Sequence, residues 1–426
     1  MPPVAIAAAL ALATAASLAL RTGTLDAGYW IDEGIAVGIA SHDLADIPRV
    51  LGQDGNPPLY YLLLHGWMAL AGEGEAATRA LSLLFAALAV PVAWWAAGRR
   101  AAVVAAVCPF LTVYAQEARM YSLVAVLSVL AVGAFVKGHR VLLVAALVAL
   151  LYTHTWGVFL AVPLIALSRD RLVVGTAVAV LYLPWLPSLA FQALHTGAPW
   201  SLAPSVLYLV PVALLVAWRP RDRLVLVVAA GIALAWAASQ VTPAWAPRYL
   251  FVFFGPLLLL LARRPSWAVA GLAVALLLAG TPIKSNARAV AASVAPSVRP
   301  GDLVICTQPE QVPVLYRYLP AGVKYLTPLG TPADPSFTDW RDALHRLRRG
   351  TAERVLEPHL AGVRRVILVM PVYRDPRSPW ARVVGRRTRE WRTYVRARFE
   401  PAGATSHPDP ARFRSTVRAE IYSLGS

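Results

Sequence analysis

The strongest constraint on the fold is a succession of apolar runs that occupies residues 3–283 and then stops. After a first run at 3–20 and a short one at 57–72, they lie at 78–97, 101–114, 117–136, 140–154, 155–168, 171–189, 203–218, 224–240, 248–262 and 267–283. At a rise of about 1.5 Å per residue, roughly 20 apolar residues cross a hydrocarbon core of about 30 Å. In a chain of 426 residues, 58% hydrophobic and 15% charged is too apolar for one soluble core. The pattern predicts a polytopic α-helical membrane protein. A cleaved signal peptide competes for residues 3–20, but no basic residue precedes the run.

Basic clusters fall at every second connection: Arg99-Arg100, Lys137 with Arg140, Arg169 with Arg171, Arg219 with Arg221 and Arg223, and Arg263-Arg264. The positive-inside rule places these in the cytoplasm and leaves AQEARMY, YTHTWG, FQALHTGAPWSLAPS and VTPAWAPRY on the outer face. Counting back from Arg99 leaves two starts. If 57–72 is a surface or re-entrant helix, there are eleven spans and the loop at 22–77 is outside. If it crosses, there are twelve and the loop is cytoplasmic. Arg21, directly after the first run, favours the second start. The acidity of the loop and the shortness of 57–72 favour the first.

Residues 22–56 carry six of the eleven acids in the first 283 positions. The stretch from Asp32 to Leu51, with Ile35 and Ile39 four apart and polar residues near its end, predicts a helix lying on the membrane surface. Beyond Ile283 the composition becomes that of a soluble domain, which divides the chain into a membrane module at 1–283 and a separate domain at 284–426. There, GDLVICTQ, RRVILVMPVY and EIYSL have strand character, and PEQVPVLYRYL and DWRDALHRLRRG have helical character. They predict a small C-terminal α/β domain, placed outside the cytoplasm by span parity. The domain holds 24 Lys+Arg against 12 Asp+Glu. Beside a membrane, that excess points to anionic headgroups or phosphorylated lipids and not to nucleic acid.

Acids at a membrane boundary are costly and tend to serve function. Asp32 and Glu33 follow the first run, and they also fit the plain role of first-turn acids stabilised by a helix dipole. The same outer face collects Glu117 and Arg119 of QEARMY, His154 of YTHTWG, and Arg248 with Tyr249 of APRYL. Adjacent carboxylates with two arginines suit a reaction in which a hydroxyl loses its proton and a lipid phosphate departs. The carboxylate is the base, and the guanidiniums bind phosphate bidentately. Each basic residue has a plainer reading as well: pairing with Glu117 for Arg119, snorkelling for Arg248, and packing in a tight turn for His154. Asn56-Pro57-Pro58 restricts the backbone where the second helix begins. His65 and Glu73 are candidates for a divalent metal site, at a spacing that is not diagnostic. Tyr29, Trp30, Tyr60, Tyr61, Trp156, Trp200 and Trp245 fit an interfacial aromatic belt. Cys108 and Cys306 form neither a zinc spacing nor a disulfide framework, and the chain has no nucleotide-binding glycine motif.

The order of these parts resembles a known family. A first span, a loop with an acidic pair, N-P-P-L-Y-Y opening a short helix, A-x-R-A-L-S-L-L-F closed by G-R-R, and P-F-L-x-x-Y-A-Q-E-A-R-M-Y are similar to the GT-C glycosyltransferases. More narrowly they resemble glycosyltransferase family 39, the protein mannosyltransferase and lipid A aminoarabinose transferase relatives. The likeness covers about residues 1–260 and leaves the tail unmatched. It implies a GT-C fold of about eleven spans with surface helices in the first outer loop. It also implies a polyprenyl-phosphate-linked sugar donor, a hydroxyl acceptor outside the cytoplasm and an inverting single displacement. By position, the first-loop Asp of that family falls on Asp32, with Glu33 beside it, and its arginine after the third or fourth span falls on Arg119. Many relatives carry Lys before the Pro-Pro pair, where this chain has Asn56, so one expected phosphate ligand is missing.

The expectation is therefore a multi-pass glycosyltransferase of the plasma membrane with an extracytoplasmic C-terminal domain. It would act on a polyprenyl-phosphate-linked sugar and a protein, glycan or lipid hydroxyl, among membrane lipids and without nucleic acid. Donor contacts would fall to Arg119, Arg248, His154, Glu117, Asn56 and Tyr249. A lipid-linked sugar flippase or transporter would show broken helices in two matching halves, and no such repeat is visible. A non-catalytic envelope assembly protein would leave Asp32 and Glu33 replaceable.

Overall fold

The computed structural model describes residues 3–263, 271, 283–373, 375–403 and 415–424. The span expected at 267–283 lies outside these residues except at Gly271 and Ile283. Among the described residues, three helices are long and apolar enough to cross a membrane by length and composition: Glu75–Ala97, Arg171–His195 and Arg223–Val241. Apolar helices of 10–17 residues cover Leu59–Ala71, Tyr121–Lys137, Arg140–Thr153, Gly157–Ala166, Val206–Trp218 and Pro247–Ala262. Several are shorter than the runs that announced them. Pro109 divides the run at 101–114 into the helices Arg99–Ala106 and Pro109–Ala115. Residues 116–120 stay out of helix, so the run at 117–136 becomes helical only at Tyr121.

The chain forms two compact units. The helical unit comprises Met1–Leu25, Asn56–Ala190 and Leu202–Thr281. Its centre is the Tyr121–Lys137 helix, apolar and buried almost all round, which packs against Glu75–Ala97, Arg140–Thr153 and Phe254–Ala262. Small residues set the closest crossings. A Cβ on Gly255 would stand 2.4 Å from the Ser128 carbonyl oxygen. There Ser128 Oγ donates to the Val252 carbonyl at 2.6 Å and accepts from the Gly255 N–H at 2.9 Å. Arg21, read from sequence as a topological charge, is fully buried and donates to the carbonyls of Ala86, Ala105 and Ala106 and to Thr112 Oγ1. It ties three helices together. Arg79 of the A-x-R-A-L-S motif is likewise buried, donating to the Leu25 carbonyl at 2.6 Å and the Thr24 carbonyl at 3.3 Å.

The second unit comprises Asp26–Gly55, Phe191–Ser201 and Pro282–Ser426. Among the described residues it contains a five-stranded sheet in which Lys324–Leu326, Leu303–Cys306, Arg365–Pro371, Val417–Ser423 and Glu400–Pro401 lie side by side in that order. The strands are β1 (Leu303–Cys306), β2 (Lys324–Leu326), β3 (Arg365–Pro371), β4 (Glu400–Pro401) and β5 (Val417–Ser423). β1 runs parallel to β2 and β3, whereas β5 is antiparallel to β3 and β4. Every residue of β1 and nearly every residue of β3 is buried, as in a sheet covered on both faces. Leu303, Ile305, Leu326, Val366, Leu368 and Trp391 contribute to one apolar cluster. The strands expected in GDLVICTQ, RRVILVMPVY and EIYSL are present. β2, β4 and the Pro379–Arg396 helix are among the additions. That helix begins with Ser378 accepting from the Ala381 N–H at 3.2 Å and Pro379 at its first position. It buries Trp380, Val383, Val384, Arg387, Trp391 and Val395.

The first-loop segment differs from expectation. The single surface helix over 32–51 is two helices, Ile31–Ala40 and Ile47–Asp54. Residues Glu33 to Ala40 are all buried within this unit. Two glycines one turn apart explain the close fit. A Cβ on Gly34 would stand 2.5 Å from Val314 Cγ2, and one on Gly38 would stand 1.7 Å from the Ser336 carbonyl oxygen. The apolar residues of the helix are therefore used in packing within the unit instead of forming an amphipathic face for a membrane surface. Tyr29 and Trp30, assigned to an interfacial belt, are also buried here. The Tyr29 N–H donates to Tyr318 Oη at 2.8 Å, and Lys284 Nζ stands 4.7 Å from the Trp30 ring centroid.

Candidate active site

Asp32 and Glu33 lie in the first turn of the Ile31–Ala40 helix, within the sheet-bearing unit. Glu33 turns back so that Oε2 accepts from the Trp30 N–H at 3.4 Å, the carboxylate half of a capping box. Asp32, one position earlier, is half-buried. The same helix packs on the Pro309–Gln311 turn and the Val312–Tyr318 helix that follows it.

That turn carries an acid the sequence reading did not single out. Glu310 is buried, and its Oε1 accepts from Gln308 Nε2 and Trp380 Nε1, each at 2.8 Å. Its Oε2 is sealed from solvent and makes no hydrogen bond among the described residues. Burial pushes the Glu310 carboxyl above the ordinary carboxylate range, and the charge of Asp32 adds to the rise, against the hydrogen bonds that oppose it. Glu310 escaped notice because PEQVPVLYRYL reads as an ordinary helix start, where an acid needs no further explanation.

The remaining candidates lie in the helical unit. Glu117 and Arg119 occupy the turn before the Tyr121–Lys137 helix, where the Arg119 N–H donates to the Glu117 carbonyl at 2.7 Å. Ser82 Oγ donates to the Arg119 carbonyl at 3.1 Å and lies 3.3 Å from Tyr60 Oη, so neighbouring helices hold the backbone of the turn. His154 is buried at the end of the Arg140–Thr153 helix. Its Nδ1 accepts from the Trp156 N–H at 3.1 Å, which leaves the proton on Nε2 in the neutral ring. Aromatic rings surround it: Tyr249 at 5.0 Å and Tyr121 at 5.9 Å between centroids. Tyr249 in turn meets Trp156 at 5.2 Å, and Trp156 meets Trp245 at 5.5 Å. The Arg248 guanidinium lies 5.5 Å from the Tyr249 ring centroid, and Arg119 and Arg248 are both within electrostatic reach of His154. Glu117, Arg119, His154, Arg248 and Tyr249 are thus held around one buried turn region. Asn56 sits just before the Leu59–Ala71 helix that begins after its Pro-Pro pair. Tyr60, Tyr61, Trp156 and Trp245, also assigned to an interfacial belt, are buried.

Cationic guanidiniums beside an oriented imidazole, walled by aromatic rings, can hold an anion such as a phosphate. Among the described residues no three His, Cys, Asp or Glu side chains are grouped to hold a metal ion.

The described residues thus form a helical unit, with three helices long and apolar enough to cross a membrane, and a sheet-bearing unit. Over its whole length the chain is similar to the crystal structure of ArnT from Cupriavidus metallidurans in the apo state, with a TM-score of 0.58, 15% identity and 97% of each chain covered. It is similar also to ArnT from the same organism bound to undecaprenyl phosphate, with a TM-score of 0.56, 14% identity and 98% of each chain covered. No family model matches the sequence, and no curated protein matches it.

Proposed function

We propose that this protein is a membrane glycosyltransferase that moves a sugar from a polyprenyl-phosphate carrier to a hydroxyl acceptor outside the cytoplasm. The observation that carries the reading is the fold shared end to end with ArnT, one of whose structures holds undecaprenyl phosphate. The arginine and histidine cluster supplies chemistry suited to such a leaving group. In this reading the chain crosses the plasma membrane eleven times, with the 22–77 loop and residues 284–426 on the outer side.

The reaction is a single inverting displacement. Asp32 accepts the acceptor hydroxyl proton as its oxygen attacks the anomeric carbon, and the bond from that carbon to the phosphate oxygen breaks. Arg119 and Arg248 neutralise the charge growing on the departing polyprenyl phosphate, while His154 and Glu117 fix their surroundings. Tyr249 and Asn56 line the donor path. Burial favours the protonated form of Glu310, and Asp32 is the carboxyl of the two that is assigned as base.

A general base contributes about 10²–10⁴-fold. Asp32→Asn is expected to lower transfer from undecaprenyl-phosphate-linked sugar by that order while the purified protein keeps its melting temperature. Full activity in a correctly inserted Asp32→Asn protein would remove Asp32 from the mechanism.

A further inference from the structure

The sheet-bearing unit holds a cavity of about 430 Å³, within the range of about 300–1,000 Å³ typical of small-molecule sites. Its wall takes in His42, just beyond the Ile31–Ala40 helix, Arg49 of the Ile47–Asp54 helix, and the loop around Asp334 and Asp339. His42 Nε2 stands 2.7 Å from Asp334 Oδ2, while Asp334 Oδ1 accepts from the Ser336 N–H at 2.8 Å and its hydroxyl at 2.6 Å. Arg341 grips Asp339 bidentately, 2.9 Å to each carboxylate oxygen, and Arg346 reaches it at 3.3 Å. Burial alone would raise both acids, but these bonds outweigh it and hold each below the ordinary carboxylate range.

Two polar atoms of the lining residues are sealed from solvent without a hydrogen bond among the described residues, Thr338 Oγ1 and Arg346 Nε. Thr338 is only 5% exposed. Leaving such a hydroxyl unsatisfied is costly, and a ligand able to bond it would offset that cost. Arg49 offers a further donor, because its pairing with Asp46 is largely solvent-exposed and weak. Phe337 adds an apolar face, with its ring 5.7 Å from His42.

Carboxylates, guanidiniums, hydroxyls and one aromatic ring are the groups that recognise a ring of hydroxyls. The charges narrow the class. Arg341 and Arg346 are engaged by Asp339, whereas Arg49 has only its exposed pairing with Asp46, so one guanidinium is readily available to a ligand, which matches a carboxylate better than a phosphomonoester of charge near −2. We infer that this cavity binds a carboxylated saccharide, a uronic-acid unit. On the glycosyltransferase reading, that unit is a distal part of the acceptor. Pro309 lines the cavity and Glu310, the next residue, feels the charge of Asp32, so one short turn joins the two places.

The test uses the purified full-length protein in detergent, with glucuronic acid as probe and glucose and glucose 6-phosphate as comparisons, read by ligand-detected NMR. Glucuronic acid is expected to saturate below about 10 mM and to bind more tightly than either comparison. Thr338→Val is expected to bind it about 5–30-fold more weakly with no loss of thermal stability, since the variant deletes a buried hydroxyl that has no partner among the described residues. Arg49→Gln, at an exposed side chain, should weaken binding severalfold and guards against misfolding of the first variant. Absence of saturation, unchanged binding in both variants, or tighter binding of glucose or its phosphate would overturn the inference. Saturable glucuronic acid binding by a protein that transfers no sugar would overturn the glycosyltransferase reading and leave the cavity standing. Sugar transfer by a protein that binds no glucuronic acid would do the reverse.

Discussion

Glu33 turns back onto the Trp30 N–H, while its neighbour Asp32 lies close enough to Glu310 for its charge to be felt there. In the proposed mechanism the adjacent pair divides its labour: Glu33 holds the helix start and Asp32 acts as the base. Glu33→Ala is expected to lower stability by about 1 kcal/mol or more, and Glu33→Gln, which retains an acceptor, by less. Equal melting temperatures for the two variants would contradict the capping role. Glu310 makes a claim with a definite sign. Its carboxyl is raised in the folded state, so between the unfolded value of about 4.3 and the folded value the unfolded chain has lost a proton that the native one keeps. Native stability then falls as pH rises through that window. Glu310→Gln removes the titration, so the variant should gain stability relative to the parent as pH is raised above about 4.3. Melting curves that stay parallel from pH 4 to 8 would show that Glu310 does not titrate as described. The acidic pair was legible in the sequence as a signal, but the division between Asp32 and Glu33 was not, because it depends on backbone direction at Trp30 and on a turn nearly 280 residues later.

At the scale of elements, the glycines of the Ile31–Ala40 helix decide where Asp32 can stand. Gly38→Ala would drive a methyl into the Ser336 carbonyl, a contact backbone must move to relieve, and is expected to destabilise by about 2–4 kcal/mol. Gly52, inside the Ile47–Asp54 helix, has nothing within 4 Å of the place a Cβ would take, so Gly52→Ala should stabilise by about 0.5–1 kcal/mol. Thermal melts of the two variants are expected to shift in opposite directions, and a common direction would contradict the packing described. Helices were readable wherever apolar residues ran on, as over Glu75–Ala97 and Arg223–Val241. Their ends were less so, since Pro109 and the turn at 116–120 cut runs that hydropathy alone joins. The Pro379–Arg396 helix was hidden by its six arginines, although Ser378-Pro379 and the spacing of Trp380, Val384, Trp391 and Val395 carried the signal.

For the whole molecule, the run of apolar segments announced a membrane protein, and the full-length likeness to ArnT agrees with it. The grouping of Asp26–Gly55 with residues beyond 282 was not readable, because each partner looks complete on its own and the packing depends on sequence-distant contacts such as Gly34 with Val314. The central claim is transfer of a sugar from a lipid phosphate to a hydroxyl. The most direct measurement follows a radiolabelled sugar on undecaprenyl phosphate in proteoliposomes containing this protein and a panel of hydroxyl acceptors. The label is expected to leave the lipid and appear covalently on an acceptor with the anomeric configuration inverted. Label that crosses the bilayer still attached to its lipid, with none on any acceptor, would contradict it.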